Sequence, residues 1–124
     1  MFSPSALPSK PLTEDGWPSN EDYLFGFDLY NAGYFWEAHV YWEKLWALEG
    51  TGSHARALLR GLIQLAAAGL KEGEGARKLV ERSRASLREL PPGSVQYGVD
   101  VESLRESLER GELPARLEPF VEVP

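Results

Sequence analysis

The segment Phe35-Trp36-Glu37-Ala38-His39-Val40-Tyr41-Trp42-Glu43-Lys44-Leu45-Trp46 gathers three of the chain's four tryptophans and one of its two histidines into a single run. Read as a helix of about 3.6 residues per turn, it presents Phe35, His39, Trp42 and Trp46 as one stripe. Tyr34, Ala38, Tyr41, Leu45 and Leu48 form a second stripe almost opposite. A helix apolar on two sides has to be covered on both, so this one is expected between two neighbours. His39, with Glu43 one turn on, then sits in a hydrophobic setting, where an ionisable group needs a partner.

The 124 residues, 43% of them hydrophobic, match one ordinary domain with a core of its own. Without cysteine, disulfides, thiolate metal sites and a cysteine nucleophile are excluded, and a cytoplasmic setting is expected. Met1 to Pro18 lacks the basic start and apolar stretch of a secretion signal. The longest apolar run, Leu65 to Leu70, is too short to span a bilayer, so no membrane role is expected. A net charge of −6 repels phosphate backbones, which argues against nucleic acid as a partner.

The charge is unevenly spread. Residues 11–50 hold eight acids against Lys44 alone, residues 54–90 hold eight bases against four acids, and residues 99–124 hold seven acids against three bases. Such asymmetry either joins segments of one chain or joins two chains, and most charged helix faces are simply solvated. Two Asn, two Gln, one Met and nine Arg against four Lys fit a heat-adapted source.

Four prolines in residues 1–18 predict an extended N-terminal arm. Ser19 with Asp22 three residues on approximates a capping box, so a first helix is expected from about Asn20 to Asn31, ended by Gly33. The short joint to a second helix over Tyr34–Glu49 predicts an antiparallel hairpin. Ser53 caps a third helix from His54 to about Lys71, apolar nearly all round and therefore central. Gly61 in its interior costs about 1 kcal/mol relative to Ala, which is understandable if another helix approaches there. A fourth, amphipathic helix over Glu74–Leu90 ends at Pro91-Pro92-Gly93, and Asp100 caps a short fifth through Leu108. No alternating run is long enough for a sheet. The expected fold is all-α: a compact bundle of about five helices over residues 19–112, with an extended arm over 1–18 and an extended tail over 113–124 holding Leu117, Phe120 and Val121.

Three groups invite a chemical reading. His39 and Glu43, with Gln64 from the third helix, form either a closed hydrogen-bonded cluster or a metal or acid–base site, imidazole and carboxylate being ordinary ligands. Glu37 and His54 are the nearest further ligands in sequence, but Glu37 points about 200° around the helix from His39. Trp36 and Tyr41 are the aromatics most suited to a groove or a second subunit. Gly73-Glu74-Gly75 superficially suggests a phosphate cradle, but it follows a helix and places Glu74 where an anion would sit.

The residues Asn31, Gly33, Phe35, Glu37, Ala38, His39, Glu43 and Trp46, with Gly61-Leu62-Ile63-Gln64-Leu65-Ala66 and Gly75-Ala76 further on, resemble a bacterial family catalogued as domain of unknown function 309. The resemblance covers about residues 20–90 and implies an all-helical bundle of uncharacterised activity. Val40 stands where an acid is expected after the family histidine, and no Asn precedes Gly75-Ala76. A weaker likeness to a tetratricopeptide helix pair, in Gly26, Leu29, Gly33, Ala38, Trp42 and Leu45, has no second copy at the required period.

These readings combine into a binding or protein-interaction module with an interior polar cluster. The residues expected to form its site are Asn31, Trp36, Glu37, His39, Glu43, Trp46 and Gln64. Its expected partner is a protein, with this chain itself, as a homodimer, one candidate; no metal and no cofactor is expected. The alternative is a small metal-dependent enzyme or hydrolase centred on His39 and Glu43.

Overall fold

The computed structural model describes residues 9–119, and the expectations for Phe120, Val121 and the first eight residues lie outside them. A 3-10 turn at Trp17–Ser19 leads into α1 (Glu21–Asn31), followed by α2 (Phe35–Trp46), α3 (His54–Ala68) and α4 (Gly73–Leu87). Two-residue strands β1 (Val95–Gln96) and β2 (Val99–Asp100) then form an antiparallel hairpin, and α5 (Val101–Ser107) closes the set. The described residues thus form a mostly helical bundle with five α-helices, as the periodicity predicts. The hairpin is an addition: strands of two residues carry no alternation that a sequence pattern can reveal.

Local chemistry sets the helix ends. Asn20, rather than Ser19, caps α1, its side-chain oxygen accepting from Tyr23 N at 3.1 Å. Ser53 accepts from Arg56 N at the start of α3, and Asp100 accepts from Ser103 N at the start of α5. The hairpin joint follows from Gly33, whose φ of 86° is open to glycine at little cost. Gly33 N donates to Tyr30 O and Tyr34 N to Leu29 O, the paired bonds of a Schellman stop.

The helices pack in sequence order, α2 between α1 and α3, and α3 between α2 and α4. Both sides of α2 are therefore covered: Ala38, Trp42 and Leu45 are wholly buried and Tyr41 nearly so. Trp42 is the largest of the fully buried side chains. Its indole meets Phe27 edge-on, with ring centroids 5.2 Å apart, and its Nε1 donates to Tyr23 O at 3.2 Å. α3 supplies the middle of the core through Leu58, Leu59, Leu62, Leu65 and Ala66. Gly61 marks the close approach expected of it, for Ser83 Oγ on α4 donates to Gly61 O at 2.8 Å and a Cβ there would lie 3.0 Å from Leu87.

Both flanking segments reach this core. Leu12 of the arm and Leu117 of the tail are buried with it. Leu12 N donates to Glu49 Oε1 at 3.1 Å, and Asn20 Nδ2 donates to Lys10 O at 3.0 Å. The proline-rich ends thus act as straps over the helices.

Candidate functional site

The seven site residues expected from the sequence fall in separate places. On α2, His39 and Glu43 do come together: His39 Nε2 lies 3.0 Å from Glu43 Oε1 across one helical turn. Their surroundings are wetter than the two-stripe pattern implies, the His39 side chain being 27% exposed and that of Glu43 52%. His39 Nδ1 is buried without a hydrogen-bond partner among the described residues, and so is Trp46 Nε1. Trp46 instead offers its face to Arg56, whose guanidinium carbon stands 3.7 Å from the ring centroid. The same guanidinium donates to Trp46 O and to Glu49 O at 2.8 Å, closing the C-terminal end of α2.

Gln64 does not join that pair. It faces α4, where its amide nitrogen donates to Arg82 O at 3.1 Å, to Arg60 O at 3.2 Å and to Ser86 Oγ at 2.8 Å. Arg60 Nε donates to the same Ser86 Oγ. The closed, dry cluster of His39, Glu43 and Gln64 is therefore corrected to a half-buried His39 beside a solvent-exposed Glu43 on α2 and a separate polar clasp between α3 and α4. The cause is that α3 meets different helices on different faces, and residue spacing does not say which face meets which neighbour.

Glu37 is half-buried on the far flank of α2 from His39, and Trp36 is 55% exposed. Among the described residues no group of three or more His, Asp or Glu is placed to hold a metal ion. Asn31 instead pins the tail to the end of α1. Its Oδ1 accepts from Leu117 N and its Nδ2 donates to Leu117 O, both at 2.8 Å.

The concavity that sequence reasoning missed lies between α1 and α2. It is a shallow, open depression of about 390 Å³ lined by Glu21, Asp22, Leu24, Phe25, Asp28 and Tyr41. Glu21, Phe25 and Asp28 share one stripe of α1 by helical spacing. Phe25 and Tyr41 meet edge to face at 5.0 Å, giving the cleft an aromatic wall. Asp22 is held on two sides, by Ser9 Oγ at 2.6 Å and Lys44 Nζ at 3.5 Å. Lys44 also stands 5.1 Å from the Tyr41 centroid, so an alkylammonium already rests against this wall. The sequence signal for the cleft is the excess of acids over residues 11–50, which by itself reads as diffuse charge.

Residues 23–82 match the family model described as Domain of unknown function (DUF309). The chain resembles that family over most of α1, all of α2 and α3 and the first part of α4, so the α1–α2 helix pair and the central α3 are included while the β1–β2 hairpin is not. Comparison with curated proteins and with solved structures gives no match. No helix among the described residues is long and apolar enough to cross a membrane.

Proposed function

We propose that the domain is a protein-interaction module that docks a basic side chain of its partner in the α1–α2 cleft. The supporting observation is the pairing of an aromatic wall, Phe25 and Tyr41, with the carboxylates of Glu21, Asp22 and Asp28 around one concavity. A guanidinium can bond the exposed carboxylates of Glu21 and Asp28 while lying beside the half-buried Phe25, a bidentate geometry that suits arginine more than lysine. The carboxylates are not gathered tightly enough to ligate an ion, so a broad organic cation fits better than a metal. A second copy of the chain is one available partner, since Arg77, Lys78, Arg82 and Arg88 are exposed on and just after α4. A cytoplasmic setting belongs to the same reading and rests on the cysteine-free sequence.

A fluorescein-labelled tetra-arginine peptide is the probe. Saturable anisotropy is expected with the wild-type chain, at least tenfold weaker with Glu21→Gln/Asp28→Asn, and unchanged with Glu109→Gln/Glu112→Gln, which removes equal charge elsewhere. Equal loss in both double variants would mean diffuse attraction and would end the proposal.

One observation favours a second reading, a metal-dependent or hydrolytic centre on His39: its buried Nδ1 has no partner among the described residues, beside a Glu43 carboxylate open to solvent. That reading requires stoichiometric metal in protein purified without chelator, lost in His39→Ala. Metal content that survives the substitution would dismiss it.

A further inference from the structure

The tail's attachment to α1 has the form of peptide recognition. Asn31 satisfies both main-chain groups of one residue, Leu117, as a neighbouring strand would, while the Leu117 side chain enters the core at 5% exposure. Three residues earlier Tyr30 Oη donates to Pro114 O at 2.7 Å. Between these anchors Ala115 and Arg116 remain exposed, so the groove reads a main-chain carbonyl, a leucine backbone and a leucine side chain. Burial holds the Tyr30 hydroxyl protonated well past its usual range, which keeps it a donor.

Receptor and occupant are separable parts of the chain. Tyr30, Asn31, Phe27 and Leu62 lie inside the family-matched residues, whereas Pro114 to Leu117 lie outside them. Beside Leu117 a half-open cleft of about 260 Å³ runs between the tail, at Pro114, Arg116 and Glu118, and Asp100, Ser103 and Leu104, so one flank of the tail faces open space rather than protein. The segment that leads from α5 to the anchors contains Gly111, with φ 74°, and no further helix or strand among the described residues. A segment so attached is held by few bonds and opens at low cost compared with the core.

We propose that the groove of Tyr30 and Asn31 is a binding site for extended segments of a partner protein that place a leucine in the Leu117 position, held through main-chain groups at that leucine and three residues before it, and that residues 112–119 are its resident competitor. The tail occupies the site in cis by virtue of its high effective concentration, and a partner segment engages when the tail leaves. This site is distinct from the α1–α2 cleft, and its success or failure does not depend on that reading.

The test uses full-length chain carrying Leu117→Asp, whose tail can no longer compete, and a labelled peptide Glu-Leu-Pro-Ala-Arg-Leu-Glu-Pro. Saturable anisotropy is expected, at least tenfold weaker for wild type, and lost when Asn31→Ala is added or the peptide leucine is replaced by Asp. A helical Leu117→Asp protein that ignores the peptide, or binding that persists without Asn31, would overturn the proposal. Hydrogen exchange in the wild-type protein needs no variant: the Leu117 amide should exchange at least tenfold faster than the amides of α3. Exchange of Leu117 only with global unfolding would make the tail a permanent part of the core and refute a displaceable occupant.

Discussion

Trp42→Ala is expected to lower the unfolding free energy by about 3–5 kcal/mol, the range for emptying a large aromatic site in a packed core. A domain of this kind has only about 5–15 kcal/mol in total, so the variant stands close to the folding threshold. The size of the effect follows from where the indole sits. It is 0% exposed, meets Phe27 at 5.2 Å and Tyr30 at 6.3 Å, and crosses from α2 to bond Tyr23 O on α1. Gly26 makes that crossing possible, since a Cβ there would fall 2.2 Å from Trp42 Nε1. Gly26→Ala should therefore cost about 3 kcal/mol through overpacking. The cost should shrink by more than about 1 kcal/mol when Trp42 is already Leu, since the two positions share one contact. Urea denaturation followed by helical circular dichroism measures wild type, both single variants and the double variant. Strict additivity of the two changes would show that the indole does not rest on Gly26.

How much of this is legible in the sequence depends on the range of each interaction. The caps at Ser53 and Asp100, the stop at Gly33 and the two-sided α2 are set by residues within a turn or two, and local pattern suffices for them. α2 stops at Trp46 rather than Glu49, and α3 at Ala68 rather than Lys71, because terminal turns are decided by who satisfies the last carbonyls. For α2 that group is Arg56, from the next helix. Gln64 illustrates the middle range: its burial is readable, while the choice between α2 and α4 as its neighbour is not. Asn31 marks the limit. It stands out as part of a motif, yet its bonds run to a residue 86 positions away that has no motif of its own. The α1–α2 cleft escapes notice for a related reason, since a run of acids reads the same whether scattered around a helix or gathered about an aromatic wall.

Alkali should unfold the protein by a route that the buried tyrosines define. The Tyr23 hydroxyl donates to Tyr97 O and the Tyr30 hydroxyl to Pro114 O, each at 2.7 Å, and both rings are almost wholly buried. Burial is the main cause that raises both pKa values well above the usual 10, with Glu14 and Tyr97 adding to the rise at Tyr23. Tyr97 shifts the same way, chiefly through burial, but it is only part-buried and water screens its contribution. In the unfolded chain both buried groups titrate near 10. Below that pH native and unfolded states hold the same protons and the tyrosines leave stability unchanged. Above it the unfolded state loses protons that the native state retains, so stability falls as pH rises, by about 1.4 kcal/mol per pH unit for each tyrosine. Tyr30 alone removes roughly 3 kcal/mol between about pH 10 and about pH 12, and Tyr23 shifts stability in the same direction. Urea midpoints across this window should decline steeply, and tyrosinate absorbance should lag and then rise together with the loss of helix. Tyr23→Phe and Tyr30→Phe should each flatten the decline by about 1.4 kcal/mol per unit. A slope that neither substitution changes would place the alkaline sensitivity elsewhere. Tyr30→Phe also removes one of the tail's anchors, so the same variant should speed exchange of the Leu117 amide at neutral pH, where the ring's ionisation plays no part.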